Sequence, residues 1–200
     1  MRELGPGVLH WEAPHPEWTP GAEWDELVSS YAIDDGERLL LFDPLAVPSE
    51  IEERAQERET AIVLTSPWHE RDARSVMERL GAPAFVPPPD EGSPDVAWPL
   101  AQEAHIFSVG DRLPVGVEVF PGREPNDVVL WVESRRTVVA GDTLIERGNG
   151  LEIPVDWLPG GVTREQVAEG LRPLLALPVE HVLATHGGPS DRVRLERALS

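Results

Sequence analysis

Cysteine is absent from the 200-residue chain. That excludes a disulfide framework, a thiolate metal ligand and a cysteine nucleophile, and it suits a reducing compartment. Lysine is absent as well: all 17 basic residues are arginine. Every fixed cation is therefore a planar guanidinium shaped for bidentate pairing with carboxylates. Nowhere do the roughly 20 apolar residues needed for a membrane span run together. Met1 to Val8 lacks the apolar segment of a signal peptide, so the expected location is cytoplasmic. Positive charge is scarce too. With 36 acidic residues against 17 basic, the net charge is −19, which repels phosphate backbones. Neither nucleic acid nor a membrane is an expected partner, and a small molecule is. Internal repeats and dividing linkers are missing, so residues 1–200 are expected to form one domain.

What is present reads as alternating layers. Val8 to Glu12 is an expected strand, followed by a loop rich in proline and tryptophan from Ala13 to Trp24. Leu27 to Ile33 and Arg38 to Phe42 flank the turn Asp34-Asp35-Gly36 and predict a hairpin. The run Leu39-Leu40-Leu41-Phe42 predicts a strand buried on both faces. A helix is expected from Ser49, read as its N-cap, to about Arg58. A strand over Ala61 to Leu64 and a helix over Arg71 to Leu80, stopped by Gly81, follow. From His105 to Ala140 the pattern changes to closely spaced strands with no helix between them, which predicts antiparallel pairing. Thr163, with Gln166 three residues later, predicts a capping box opening a helix that Pro173 shortens. His181 to Ala184 and Asp191 to Leu199 read as a last strand and helix. The acidic stretches Glu50 to Glu53 and Asp90-Glu91 read as solvated surface. The sum is an α/β (α+β) pattern of two sheets between helices.

Ligands in layered folds gather at the C-terminal ends of buried strands. Four such ends carry polar residues: Asp43-Pro44, Thr65 to Asp72, Gly141-Asp142, and Thr185-His186-Gly187-Gly188. A fifth candidate is the expected turn Pro121-Gly122-Arg123-Glu124-Pro125. In this order and spacing they resemble the five motifs of the metallo-β-lactamase superfamily across nearly the whole chain. The resemblance implies a four-layered αββα sandwich with a metal site at one edge of the sheets. It assigns Asp43 to a supporting aspartate, Asp142 to the aspartate that bridges two metals, and His186 to a late histidine ligand.

The superfamily's main signature, His-x-His-x-Asp-His, is not intact here. Three registers stand open: Ser66, Trp68, Glu70 and Arg71; Trp68, Glu70, Asp72 and Ala73; or Pro67, His69, Arg71 and Asp72. None keeps more than two residues able to bind metal. Arg123 stands where the family has a histidine, and a guanidinium has no free lone pair for a cation. A two-metal site needs about four ligands per ion, so at most one metal is expected. In one outcome His69, Asp72, Asp142 and His186 converge on a single zinc, iron or manganese ion. The chain is then a hydrolase acting through water on an ester, amide, thioester or phosphoester. Asp72 or Asp142 would orient or deprotonate that water, and Arg123 or Arg71 would steady an anionic group. In the other outcome no metal binds. Arg123 replaces its charge among the carboxylates, and the chain is a non-catalytic module that binds small molecules.

Plain structural readings stand beside these. Asp72 favours the dipole of the helix it opens. Asp142 and His186 are turn residues. The tryptophans between Trp11 and Trp24 plug a core edge, or their loop overhangs the cleft and lines it with Trp68.

Overall fold

Leu39 to Phe42 alternates between two apolar surroundings: Leu40 and Phe42 face one core cluster, Leu39 and Leu41 another. A computed structural model describes residues 1–89, 98–148 and 150–200. The pair Asp90-Glu91 lies outside them.

Among the described residues, fifteen strands and five α-helices follow in order. The first sheet holds β1 (Arg2–Gly5), β2 (Val8–Pro14), β3 (Leu27–Asp34), β4 (Arg38–Phe42), β5 (Glu59–Val63), β6 (Ala84–Val86) and β7 (His105–Ile106), adjacent in sequence order. Pairing is antiparallel from β1 to β4 and parallel from β4 to β7. The parallel half needs crossovers, supplied by α1 (Ser49–Ala55), α2 (Ala73–Leu80) and α3 (Pro99–Glu103). The second sheet joins β8 (Arg112–Leu113), β9 (Val117–Glu124), β10 (Asp127–Val132), β11 (Thr137–Gly141), β14 (His181–Ala184) and β15 (Pro189–Asp191) in the order β15-β14-β11-β10-β9-β8. A small hairpin of β12 (Ile145–Arg147) and β13 (Gly150–Glu152) stands apart. Helices α4 (Arg164–Leu171) and α5 (Arg192–Ala198) pack on the second sheet.

Four layers result. One apolar cluster, including Tyr31, Phe42, Val63, Leu130 and Leu183, fills the space between the sheets. A second lies under α1, α2 and α3, and a third under α4 and α5. The expected αββα sandwich is the observed one. Tyr31 also ties the sheets by a polar contact, its hydroxyl donating to the Ala184 carbonyl at 2.6 Å. Tyr31→Phe leaves that buried oxygen unpaired. A loss of about 1–3 kcal/mol in denaturant unfolding is expected; an unchanged midpoint would discount the bond.

Several local expectations are corrected. Ser49 does not cap α1: Pro48 holds the cap position, and the Ser49 hydroxyl bonds Glu50. The expected turn from Pro121 to Glu124 is strand, the end of β9. Short strands at β1, β12, β13 and β15 escaped the pattern because each has only three or four residues. The Thr163 capping box and the left-handed Gly81 that ends α2 are both present.

Candidate functional site

Strand ends from both sheets meet at one edge of the sandwich. Asp43 follows β4 in a left-handed conformation (φ 46°). Its Oδ1 accepts from the Thr65 backbone N–H at 2.9 Å, and its Oδ2 accepts from the Thr65 hydroxyl at 2.6 Å. Thr65 follows β5 and is succeeded by a 3-10 turn, Pro67–His69. That turn carries the His69 ring inward, with Nδ1 2.9 Å from the Thr65 hydroxyl and 3.2 Å from Asp43 Oδ2. Its Nε2 lies 3.2 Å from Asp142 Oδ1. Burial opposes a charge on this ring. The carboxylates of Asp142 and Asp43, one at each nitrogen, outweigh it and raise the His69 pKa to about 9. His69 is an imidazolium at neutral pH.

Asp142 leaves β11 just after Gly141 (φ 54°), where a side chain would meet Thr65 within 2.8–2.9 Å. Trp68 Nε1 donates to Asp142 Oδ2 at 3.2 Å, and Arg123 Nη2 stands 3.6 Å from the same oxygen. Burial works against its charge, but His69, His186 and Arg123 hold its pKa far below the usual carboxylate range.

Arg123 is half-buried and fixed. Its Nε donates to Asp127 Oδ2 at 2.5 Å and its Nη1 to the Trp157 carbonyl at 2.9 Å. Its guanidinium carbon lies 5.5 Å from the Trp68 ring centroid and 5.8 Å from that of Trp157, within cation–π range of both. Asp127 is fully buried. Burial and the Asp142 charge push its pKa upward, against the pull of Arg123.

His186 lies beyond β14, with Nε2 3.5 Å from Asp142 Oδ1. The Trp24 and Trp157 rings meet it edge-on, with centroids at 5.8 and 5.1 Å. Burial, reinforced by the charges of His69 and Arg71, lowers its pKa to about 4 despite Asp142. It is neutral, and its buried Nδ1 makes no hydrogen bond.

Trp68, His69, Arg123, Asp142, Trp157 and His186 line a cleft of about 410 Å³, together with His15, Glu17, Trp24, Val28, Arg71 and Glu124. Of the residues singled out from the sequence, His69, Asp142, His186 and Arg123 come together. Asp72 does not: its carboxylate accepts from the Ala46 backbone N–H at 2.7 Å, anchoring a loop at the start of α2 outside the cleft. Glu70 turns to Trp98, accepting from its indole N–H. The loop before β3 lines the cleft through His15 and Trp24, whereas Trp11 is buried under the helices. Asp127 and Trp157 escaped the sequence reading. Asp127 reaches Arg123 only through the β9–β10 hairpin, and a tryptophan in a proline-rich loop carries no signal of which way it faces.

Of the four expected metal ligands, His69, Asp142 and His186 meet in the cleft, and Asp72 stands outside it. Asp142 Oδ1 is buried without a hydrogen bond, as an oxygen awaiting a cation can be. One fixed cation already stands beside the same carboxylate, the Arg123 guanidinium at 3.6 Å from Oδ2. Among the described residues no group of three or more histidine, aspartate or glutamate side chains is placed to hold a metal ion.

No family model and no curated protein sequence matches the chain. Solved structures do. The metallo-beta-lactamase family protein TTHA1429 from Thermus thermophilus superimposes with a TM-score of 0.62 at 19% identity, over 98% of this chain and 79% of that one. TTHA1623, solved in a di-iron-bound form, gives 0.60 at 25% identity over 86% and 93%. A metallo beta lactamase from Erythrobacter litoralis gives 0.64 at 12% identity over 99% and 93%.

Proposed function

From the premise that this chain has the metallo-β-lactamase fold, we propose that its cleft binds a small organic molecule without a metal ion. The guanidinium of Arg123 supplies the charge that a metal supplies elsewhere. The observation that carries this reading is the seat of Arg123, bonded to Asp127, 3.6 Å from Asp142 and flanked by two indoles. Asp43, Asp127 and Asp142 would repel one another if no cation stood among them. Arg123 and imidazolium His69 relieve that repulsion with covalently attached charge. A cleft of this size falls within the range of about 300–1,000 Å³ typical of small-molecule sites, and it offers aromatic walls over a polar floor.

A second reading, hydrolysis of an ester, amide, thioester or phosphoester with one zinc, iron or manganese ion, draws on a different observation. Two imidazole Nε2 atoms face the unbonded Asp142 Oδ1 at 3.2 and 3.5 Å, and TTHA1623 carries di-iron. Elemental analysis separates the two. Protein purified without chelator or metal-affinity resin, then offered Zn²⁺, Fe²⁺ and Mn²⁺ and desalted, is expected to retain no stoichiometric metal. Retention near one ion per chain, lost in His186→Ala, overturns the metal-free reading.

A further inference from the structure

Arg71 is a cation of the cleft that forms no ion pair among the described residues, although the charges of Asp43 and Asp142 act on it from farther off. Its Nη1 donates to the backbone carbonyls of Asp43 at 2.8 Å and Ser29 at 3.0 Å, with the Ser30 hydroxyl at 3.4 Å. These contacts fix the plane of the guanidinium. Its Nε is buried and has no hydrogen-bond partner. Nη2, on the same edge as Nε, has none among the described residues either, and Arg71 enters no ion pair there. Asp142, by contrast, is already balanced by His69 and Arg123.

Two further observations point the same way. Arg71 is held at φ 43°, a left-handed conformation that costs a non-glycine residue of order 1–3 kcal/mol and clusters at functional sites. Burial opposes the charge as well, and the Asp43 and Asp142 carboxylates offset that only in part. Trp24, Trp68 and Trp157 line the same cleft and give it aromatic surface. Leu27, next to the lining residue Val28, is an exposed apolar side chain.

We propose that the cleft takes a carboxylate-bearing small molecule with a flat apolar body, its carboxylate seated on the Nε–Nη2 edge of Arg71 and its body against the indoles. A carboxylate matches that edge with two parallel hydrogen bonds, satisfying both nitrogens that the protein leaves unpaired. The proposal rests on the metal-free reading, since a bound metal would itself hold a carboxylate.

The test compares two probes of one shape, 2-naphthoate and 2-naphthylmethanol. Binding is measured by calorimetry and by quenching of tryptophan emission, with and without EDTA, on protein assayed for metal. With no metal and with EDTA present, the acid is expected to bind about tenfold to a hundredfold more tightly than the alcohol. Arg71→Gln is expected to erase that preference while leaving the alcohol's affinity in place. Equal binding of acid and alcohol by metal-free wild-type protein overturns this proposal and leaves the metal-free reading standing. A preference that vanishes on chelation of a measured metal overturns both. Binding of neither probe overturns the proposal. Should Arg71→Gln fail to fold, Arg71→Lys keeps the charge and loses the fork; an undiminished preference there overturns the bidentate seat.

Discussion

Replacing Asp142 with asparagine is expected to cost about 3–5 kcal/mol of unfolding free energy, because it strands buried cations rather than merely deleting a contact. His69 Nε2 stands 3.2 Å from Asp142 Oδ1, Arg123 Nη2 3.6 Å from Oδ2, and Trp68 donates to the same Oδ2. Asparagine keeps the shape and removes the charge on which the two cations lean. Guanidinium chloride unfolding of wild type and Asp142→Asn measures the difference. EDTA should leave the wild-type midpoint where it is, since the counter-charges are side chains. A variant within about 0.5 kcal/mol of wild type, the ordinary span of inconsequential surface changes, would sink the charge-balance account.

The second large effect is a stability maximum near neutral pH with a steep alkaline limb. His69 has its pKa raised to about 9 from an ordinary 6.5. The folded state keeps a proton that the unfolded chain releases between these values. The stabilisation is therefore complete below about pH 6.5 and is lost as pH rises through 9. The full span amounts to about 3 kcal/mol. His10 and His186 act in the opposite sense. Burial lowers both to about 4, so the unfolded chain takes up protons that the folded one refuses. Their contribution fades as pH falls from 6.5 toward 4. Unfolding titrations from pH 4 to 9.5 should show both limbs, and His69→Gln should flatten only the alkaline one. Equal slopes in wild type and variant between pH 7 and 9 would remove His69 from its role.

The layering of this fold was legible wherever burial writes a period into the chain. Leu39 to Phe42 announced a strand covered on both faces, and Thr163 with Gln166 announced a helix start, because each signal is local. Pro121 misled for a physical reason. β8 pairs with β9 only at Val117 and Glu118, and the Gly110-Asp111 backbone bonds Val119, so Pro121 lies past the paired part of that edge, where a residue without an N–H costs the ladder nothing. The register of the broken metal motif was not legible because the 3-10 turn Pro67–His69 changes which residues face inward. It delivers Trp68, His69 and Arg71 to the cleft and passes Asp72 to the loop at Ala46. The fate of the conspicuous losses was thus settled by backbone geometry that residue spacing does not encode.

The hydroxyl bond from Tyr31 to Ala184 spans 153 positions of sequence, and the polar cluster has the same reach. Asp43 and His69 arrive with one sheet, Arg123, Asp142 and His186 with the other. Long-range pairings of this kind slow folding, because chain entropy is lost before the contacts that repay it exist. No intermediate with only one sheet formed can contain the cleft. Any compound that occupies it therefore recognises the finished molecule alone, and its occupancy shifts the whole unfolding transition rather than a local opening. Regain of binding during refolding is accordingly a clock for the last docking event, in which the two halves close on each other.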